Sequence, residues 1–359
     1  MGQFKDIYRG RRVLVTGNTG FKGSWLSLWL KTLGAEVAGI SLAPITTPNH
    51  WSLLGLEMED NCLDIREPER LQEAIARLQP EIVLHLAAQP LVRRSYQAPL
   101  ETWSTNVNGT ANVLEACQHA KSVRAIVVVT SDKCYENVEW AWGYRENDRL
   151  GGHDPYSASK AATEMVAASY RHSFFNSPDA PLLATARAGN VIGGGDWSAD
   201  RLIPDLVRSI STQEVLEIRY PHATRPWQHV LESLSGYLLL GQLLLEGKRE
   251  FATAWNFGPA AEGNRSVAEV LSRLNEEWPV LRWQRATAAQ VHEAQLLYLD
   301  STMARSRLGW KPVWEFDRAL SATARWYQSW TEHSEVISRE QLADYVATAQ
   351  AQGVEWSGP

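Results

Sequence analysis

Apolar and polar positions along the first half of this 359-residue chain fall into blocks whose period switches between strand-like and helical. Arg12-Val13-Leu14-Val15-Thr16 is a short β-branched run that stops at a glycine, the pattern of a buried strand entering a turn. Trp25, Leu26, Leu28, Trp29, Leu30 and Leu33 then form an apolar helical stripe, closed by Gly34, which tolerates the left-handed conformation at a helix end. Val37 to Ser41 predicts a second strand. Pro68 suits a first helical turn, where its missing N–H is not needed, and Leu71, Ala74, Ile75 and Leu78 continue that helix. Glu81 to Leu86 and Ala125 to Thr130 predict buried strands, with a helix over about Leu100–His119 between them. A helix carrying Tyr156 precedes a further strand at Leu182–Ala186. Continuous apolar strands alternating with helices predict an α/β fold, a Rossmann-type doubly wound parallel sheet.

The texture changes after about Asn190. Gly193-Gly194-Gly195-Asp196 predicts a loop, and shorter, less periodic elements follow. Leu234–Leu245 and Trp255–Gly258 predict a helix and a strand that return to the first unit. Residues 1–190 with 230–258 are therefore expected to form the cofactor-binding domain. Residues 191–229 and 259–359 are expected to form a smaller C-terminal α/β substrate lobe over the carboxyl edge of the sheet. No internal repeat or low-complexity linker is visible.

Composition narrows the functional classes. The chain is long enough for one large domain or two intimately joined ones. Lys plus Arg number 35 against 41 Asp plus Glu, a net charge of -6 that leaves no basic footprint for nucleic acid. The longest apolar stretch, Leu238–Leu245, is interrupted by Gly241 and Gln242 and is too short to span a bilayer. The polar start, Met1 to Gly10, does not resemble a signal peptide, so a cytoplasmic protein is expected. Cys62, Cys117 and Cys134 lack metal-ligand spacing and are expected to be small core residues, with no metal site. Most of the 16 tryptophans are expected to fill the core.

The candidate chemistry lies at three places. Thr16-Gly17-Asn18-Thr19-Gly20-Phe21-Lys22-Gly23 joins a strand to a helix, where Gly17, Gly20 and Gly23 let the backbone approach a dinucleotide pyrophosphate and the helix N-terminus offers free N–H groups. Asp64-Ile65, after the third strand, can meet an adenine amino group, and Ala87-Ala88 after the fourth allows close approach of a cofactor. Tyr156 and Lys160 stand four apart on one helix face. A free tyrosine, with a pKa of about 10, is a poor base at neutral pH, and a neighbouring ammonium would lower it. Ser131-Asp132-Lys133 follows the fifth strand and adds a hydroxyl, an acid and a base to that pair.

Together these residues resemble the extended short-chain dehydrogenase/reductase superfamily, and within it the nucleotide-sugar 4,6-dehydratases. The resemblance runs from Arg12 to about Pro312 and includes Asn106-Val107-Asn108-Gly109-Thr110, Arg187-Ala188-Gly189-Asn190-Val191-Ile192-Gly193 and Arg225-Pro226-Trp227-Gln228-His229-Val230. Most members carry Thr-Asp-Glu where this chain has Ser131-Asp132-Lys133, and the Asp-Lys form looks like the branch acting on CDP-glucose. Gln89-Pro90-Leu91-Val92-Arg93-Arg94-Ser95 also departs from the dTDP-type pattern.

The resemblance implies oxidation at C4, elimination across C5 and C6, and hydride return to C6, with NAD as cofactor. It casts Ser131, Asp132, Lys133, Tyr156 and Lys160 as catalytic, with Lys133 as the C5 base and Asp132 as the acid. It implies that Gly17, Gly20, Phe21, Gly23, Ser41, Asp64, Ile65, Ala87, Ala88, Tyr156 and Lys160 hold the cofactor. Gln89, Asn190, Arg201 and Arg225 would meet the substrate. Ser41 stands where an acid usually grips the ribose, and no Arg or Lys lies between Ser41 and Trp51 for a 2′-phosphate, so NAD is favoured over NADP. A homodimer or dimer of dimers is implied, formed by the helices near Leu100–His119 and Pro155–Phe174 through Val107, Val113, Met165, Val166 and Tyr170. The alternatives are another nucleotide-sugar 4,6-dehydratase, a UDP-sugar 4-epimerase, which needs no Asp-Lys pair, and a non-catalytic NAD-sensing protein.

Overall fold

The computed structural model describes residues 2–260, 263–279, 282–286 and 296–358. Its centre is a seven-stranded sheet. β1 (Arg12–Thr16), β2 (Glu36–Ser41), β3 (Glu59–Cys62), β4 (Ile82–His85), β5 (Ala125–Val129) and β6 (Leu182–Ala188) are joined by an edge strand, Ala254–Phe257. From that edge the order is β6, β5, β4, β1, β2, β3, and every pairing is parallel. β4 and β5 are buried at every position, which is why their sequences run apolar without alternation, apart from His85 at the end of β4. The chain winds outward from β1 to β3, then returns to the other side of β1 with β4. That reversal opens a crevice at the carboxyl ends of β1 and β4.

Two apolar layers flank the sheet. The helices Phe21–Thr32 and Val230–Leu245 cover one face, with Trp25, Trp29, Leu234, Leu238 and Trp255 in its core. The helices Pro68–Leu78, Gly109–His119 and Pro155–Ser173 cover the other, packing Leu71, Leu114 and Ala167 against Leu14 and Ile126. Val230–Leu245 is buried all round, which explains a helix that lacks a polar face. It begins four residues before the expected Leu234 because the His229 ring accepts from the Leu231 N–H and caps it.

The expected helix over Leu100–His119 is a composite. Pro99–Trp103 and Gly109–His119 are α-helical, and Ser104–Asn108 between them widens into a π-helical turn. The turn aims Asn106 inward, where its amide donates to the Ser159 hydroxyl at 2.9 Å and accepts from the Gln89 N–H at 2.7 Å. A side chain on one helix thereby fixes both the catalytic-helix candidate and the loop after β4. Wide turns of this kind recur at functional sites.

Cys117 and Cys134 are buried as expected, but Cys62 is exposed, because β3 is the outer strand of the sheet. Trp25, Trp29, Trp255, Trp310 and Trp326 are fully buried, whereas Trp140 and Trp142 are exposed. Beyond the sheet lie three short strand pairs: Val191–Ile192 with Gln228–His229, Thr224–Pro226 with Asn264–Ser266, and Leu216–Ile218 with Trp283–Arg285. The last helix, Ser338–Ala351, leans on the first, with Tyr345 edge-on to Trp29, and Trp356 stacks on Phe4 at 5.0 Å. No helix among the described residues is long and apolar enough to cross a membrane.

Candidate active site

A cleft of about 670 Å³ lies at the carboxyl ends of β1, β4 and β5, a size suited to a small-molecule ligand. Its wall on the β1 side is the glycine turn. Gly17 has φ +75°, and a Cβ there would stand 2.7 Å from the Ala87 backbone nitrogen; a Cβ on Gly23 would drive into the Gly17 carbonyl. Turn, helix and β4 therefore close on one another with no room for a side chain, and Gly20 and Phe21 complete the wall. The helix that starts at Phe21 has no acid in its first turn, so its positive end is left for an anion. A dinucleotide fits this arrangement.

The other expected cofactor residues line the same cleft. Ala87 and Ala88 present backbone only. Ser41 is bonded to the Thr19 hydroxyl at 2.5 Å and donates to the Leu42 carbonyl at 2.8 Å, so it fastens the glycine turn to the end of β2. Asp64 receives three bonds from the Arg66 guanidinium, and this hydrogen bonding holds the carboxyl below its ordinary range. Ile65 is buried beside it and packs under Gly109.

The reactive groups sit at the end of β5. Ser131 caps a short 3₁₀ turn, Asp132–Cys134, its hydroxyl accepting from the Lys133 N–H at 3.2 Å. The same hydroxyl donates to Asp132 Oδ1 at 2.9 Å and pulls the Tyr156 phenol's pKa down against burial. Asp132 is 2% exposed, and its Oδ2 has no hydrogen-bond partner among the described residues. Buried carboxylate oxygens are seldom left so. The Lys133 side chain lines the cleft beside it.

Tyr156 occupies the first turn of Pro155–Ser173, a helix started by Pro155 and capped by Asp154, which accepts from the Ser157 N–H at 2.9 Å. Burial pushes the phenol up to about 12, the Ser131 bond pulling down and the Asp132 charge pushing further up. The lowering expected from Lys160 is thus not in place in the protein by itself, which holds Tyr156 neutral. Lys160, one turn on, donates to the Val129 carbonyl at 3.4 Å, and burial brings its pKa down to about 8.

On the opposite wall Arg201 pairs with Asp196 at 2.7 Å, an ion pair that outweighs burial and keeps the guanidinium charged. Arg225 is buried, donates to the Thr224 carbonyl at 2.8 Å and, like Asn190, lines the cleft. Gln89 lines it too, but its amide is already committed: it donates to the Thr102 hydroxyl at 2.8 Å and accepts from the Leu91 N–H at 2.6 Å. These two bonds fix the loop after β4.

Two residues escaped the sequence reading. Lys22, inside the glycine turn, lines the cleft and donates to the Tyr237 hydroxyl at 3.2 Å. Burial, then the charges of Arg201 and Lys160, bring its pKa down to about 7, against the pull of Asp132. A lysine in the first turn of a helix, against the helix dipole, was the available signal. Asp196 was read only as part of a loop, although it stands five residues before Arg201.

Comparison with known proteins agrees with this geometry. Residues 14–323 match the family model described as GDP-mannose 4,6 dehydratase. The CDP-glucose 4,6-dehydratase of Salmonella typhimurium is 46% identical over 352 residues, covering 96% of this chain and 98% of that protein. A probable dTDP-glucose 4,6-dehydratase of Sinorhizobium fredii is 26% identical, over 88% of this chain and 92% of its own. Among solved structures, the epimerase Mth375 of Methanothermobacter thermautotrophicus superposes with a TM-score of 0.81 at 25% identity, covering 94% of this chain and 96% of that one. MoeE5 in complex with UDP-glucose and NAD gives 0.74 at 27% identity, over 90% and 99%.

Proposed function

The chain belongs to the GDP-mannose 4,6 dehydratase family, and from that premise we propose that it is an NAD-dependent lyase converting CDP-glucose to CDP-4-dehydro-6-deoxyglucose and water. The observation that carries the reading is the Ser131-Asp132-Lys133 turn beside Tyr156, with Asp132 Oδ2 buried and unpartnered. A 4-epimerase needs the Tyr-Lys pair and has no use for a buried acid beside it. A protein that merely senses NAD needs neither.

Tyr156, held by Ser131, takes the proton of the 4-hydroxyl. NAD, held by the glycine turn, Asp64 and Lys160, would supply the hydride acceptor for C4 and the hydride returned to C6. Lys133 removes the C5 proton, made acidic by the C4 ketone, and Asp132 protonates the departing 6-hydroxyl. Each such proton transfer is worth on the order of 10² to 10⁴ in rate. The glycine turn holds the pyrophosphate, Asp64 the adenine, and Lys160 with Tyr156 the nicotinamide ribose. Arg225 and Arg201 take the substrate diphosphate, and Asn190 the sugar.

We divide the chain accordingly, with 1–190 and 230–258 as the cofactor unit and 191–229 and 259–359 as the substrate lobe. We also place the enzyme in the cytoplasm, supplying deoxysugar (O-antigen or lipopolysaccharide) biosynthesis, as a homodimer. Leu100 is 82% exposed and Met165 65%, with Trp103 and Phe174 beside them on the two helices expected to pair. Val113, expected on that face, is instead in the protein's own core and drops out. The deciding experiment mixes purified protein with NAD and CDP-glucose and follows product mass. Loss of one water with a keto sugar supports the dehydratase; an isomer of unchanged mass supports the epimerase.

A further inference from the structure

Asp196 and Arg201 are unequal partners. The side chain of Asp196 is 5% exposed, whereas that of Arg201 is 33% exposed and lines the cleft. The neighbouring pairs, Arg93 with Asp200 and Arg208 with Asp205, are open to solvent on both sides. In this one pair the acid is buried and the base is left accessible from the cleft.

Asp196 is itself held firmly. Its Oδ1 accepts from the Ser198 N–H at 3.0 Å and its Oδ2 from Arg201 Nη1 at 2.7 Å, which sets the plane of the carboxylate. Its carbonyl accepts from the Tyr327 hydroxyl at 2.5 Å, a bond from the helix Phe316–His333. Two residues earlier the Gly194 carbonyl accepts from the Trp25 indole N–H at 2.9 Å, and a Cβ on Gly194 would collide with the Trp326 ring. The glycine-rich segment is therefore clamped to the hydrophobic core and presents a fixed carboxylate to Arg201. Among the described residues only Nη1 of that guanidinium is hydrogen-bonded, so Nε and Nη2 remain for a ligand.

We propose that Asp196 is a positioning residue, which turns Arg201 so that its Nε–Nη2 edge meets the substrate diphosphate as a two-pronged donor. The inference rests on the reading of Arg201 as a diphosphate ligand. Two effects of the carboxylate oppose one another. Its negative charge weakens the pull of Arg201 on an anion. Its hold on a long side chain spares ordering that binding would otherwise cost, a factor of roughly 2 to 10 in affinity. Because Asp196 is buried and bonded at both oxygens, a ligand meets its charge across the guanidinium, and the hold decides the sign.

Calorimetric titration of the NAD-loaded protein with CDP tests this in the wild type, Asp196→Asn, Arg201→Ala and the double variant. Asparagine keeps an acceptor for the Ser198 N–H and loses the charge. Asp196→Asn should weaken CDP by roughly 5-fold and raise the KM for CDP-glucose by a similar factor, with kcat and the affinity for NAD unmoved. Arg201→Ala should weaken CDP by roughly 10-fold or more, and adding Asp196→Asn to it should change nothing further, since a residue that acts through Arg201 then has nothing to position. The inference is overturned by tighter CDP binding in Asp196→Asn, by a parallel loss of NAD affinity, or by losses that add in the double variant. If Arg201→Ala binds CDP like the wild type, the diphosphate reading of Arg201 fails and takes the inference with it. If the affinities follow the expected pattern but the wild type makes no keto product from CDP-glucose, the positioning role stands and the dehydratase reading falls.

Discussion

Glu164 and Asp132 are two buried carboxylates beside one helix, and the protein treats them in opposite ways. Glu164 is saturated. Its Oε1 accepts from the Thr130 hydroxyl at 2.5 Å, and its Oε2 accepts from the Thr185 hydroxyl at 2.7 Å and from Arg187 at 2.8 Å. Arg187 in turn donates to the Tyr135 hydroxyl and the Glu146 carbonyl, and lies over the Tyr135 ring. Burial pushes the Glu164 carboxyl up, but Arg187 overcomes it and the net direction is down. Asp132 receives one bond, from Ser131, and one of its oxygens has no partner among the described residues. The first site pins β5, β6 and the helix together from behind. The second keeps its bonding capacity free for a substrate. A buried carboxylate with both oxygens bonded reads as architecture, and one with an oxygen left over reads as chemistry.

The sharpest way to break that contrast is to disable each site without changing its shape. Tyr156→Phe and Asp132→Asn should each lower turnover by about 10² to 10⁴ while the urea midpoint barely moves. A large shift of that midpoint would mean the site is structural after all. Glu164→Gln, which keeps the shape, should do the reverse, because it strands the Arg187 charge in the interior. Loss of one partner of a buried pair costs about 3–5 kcal/mol, and the activity of the molecules that remain folded should be close to normal. A Glu164 variant with full stability would erase the distinction.

Lys133→Met separates the two halves of the proposed cycle, with an effect of about 10² on product. The oxidation at C4 depends on Tyr156, so mixing the variant with NAD and CDP-glucose should still reduce the cofactor. Solvent deuterium exchange at C5 should collapse. Exchange at the normal rate would remove Lys133 as the base and leave it a role in positioning Asp132.

How much of this was readable in the sequence follows from the range of the interactions. The glycine turn was legible because a local rule excludes side chains at Gly17 and Gly23. The sheet was legible because β5 and most of β4, buried throughout, are continuous aliphatic runs. Tyr156 and Lys160 declared themselves by helical spacing. Contacts between distant segments were not legible. Gln89 looked free until Thr102 and Leu91 took its amide, and Val113 looked surplus until the helix was seen against the sheet. Cys62 looked like core because nothing local says that β3 is an edge. Lys22 was passed over because its partner, Tyr237, lies 215 residues away.

Lys22 also gives the smallest and most specific test of the idea that the cleft is left unsatisfied. Its described partner is a phenol rather than a carboxylate, and burial lowers its pKa from 10.5 to about 7. Above pH 10.5 the lysine is neutral in both the folded and the unfolded chain and costs nothing. As the pH falls below 10.5 the unfolded chain binds a proton that the folded one refuses, so folding is penalised. The penalty grows down to about pH 7 and is complete below it. Through this group the wild type becomes less stable as the pH falls. Lys22→Met removes the penalty, and should be more stable than the wild type at pH 6 by on the order of 1 kcal/mol, since the side chain keeps some contact with solvent. The advantage should shrink through pH 8 and vanish near pH 10. Urea unfolding at those three values checks it, and a difference that ignores pH would show that Lys22 is not held against its charge. Because an anion bound at the glycine turn would relieve the same penalty, inorganic pyrophosphate should narrow the gap at pH 6 and leave the curves at pH 10 where they are.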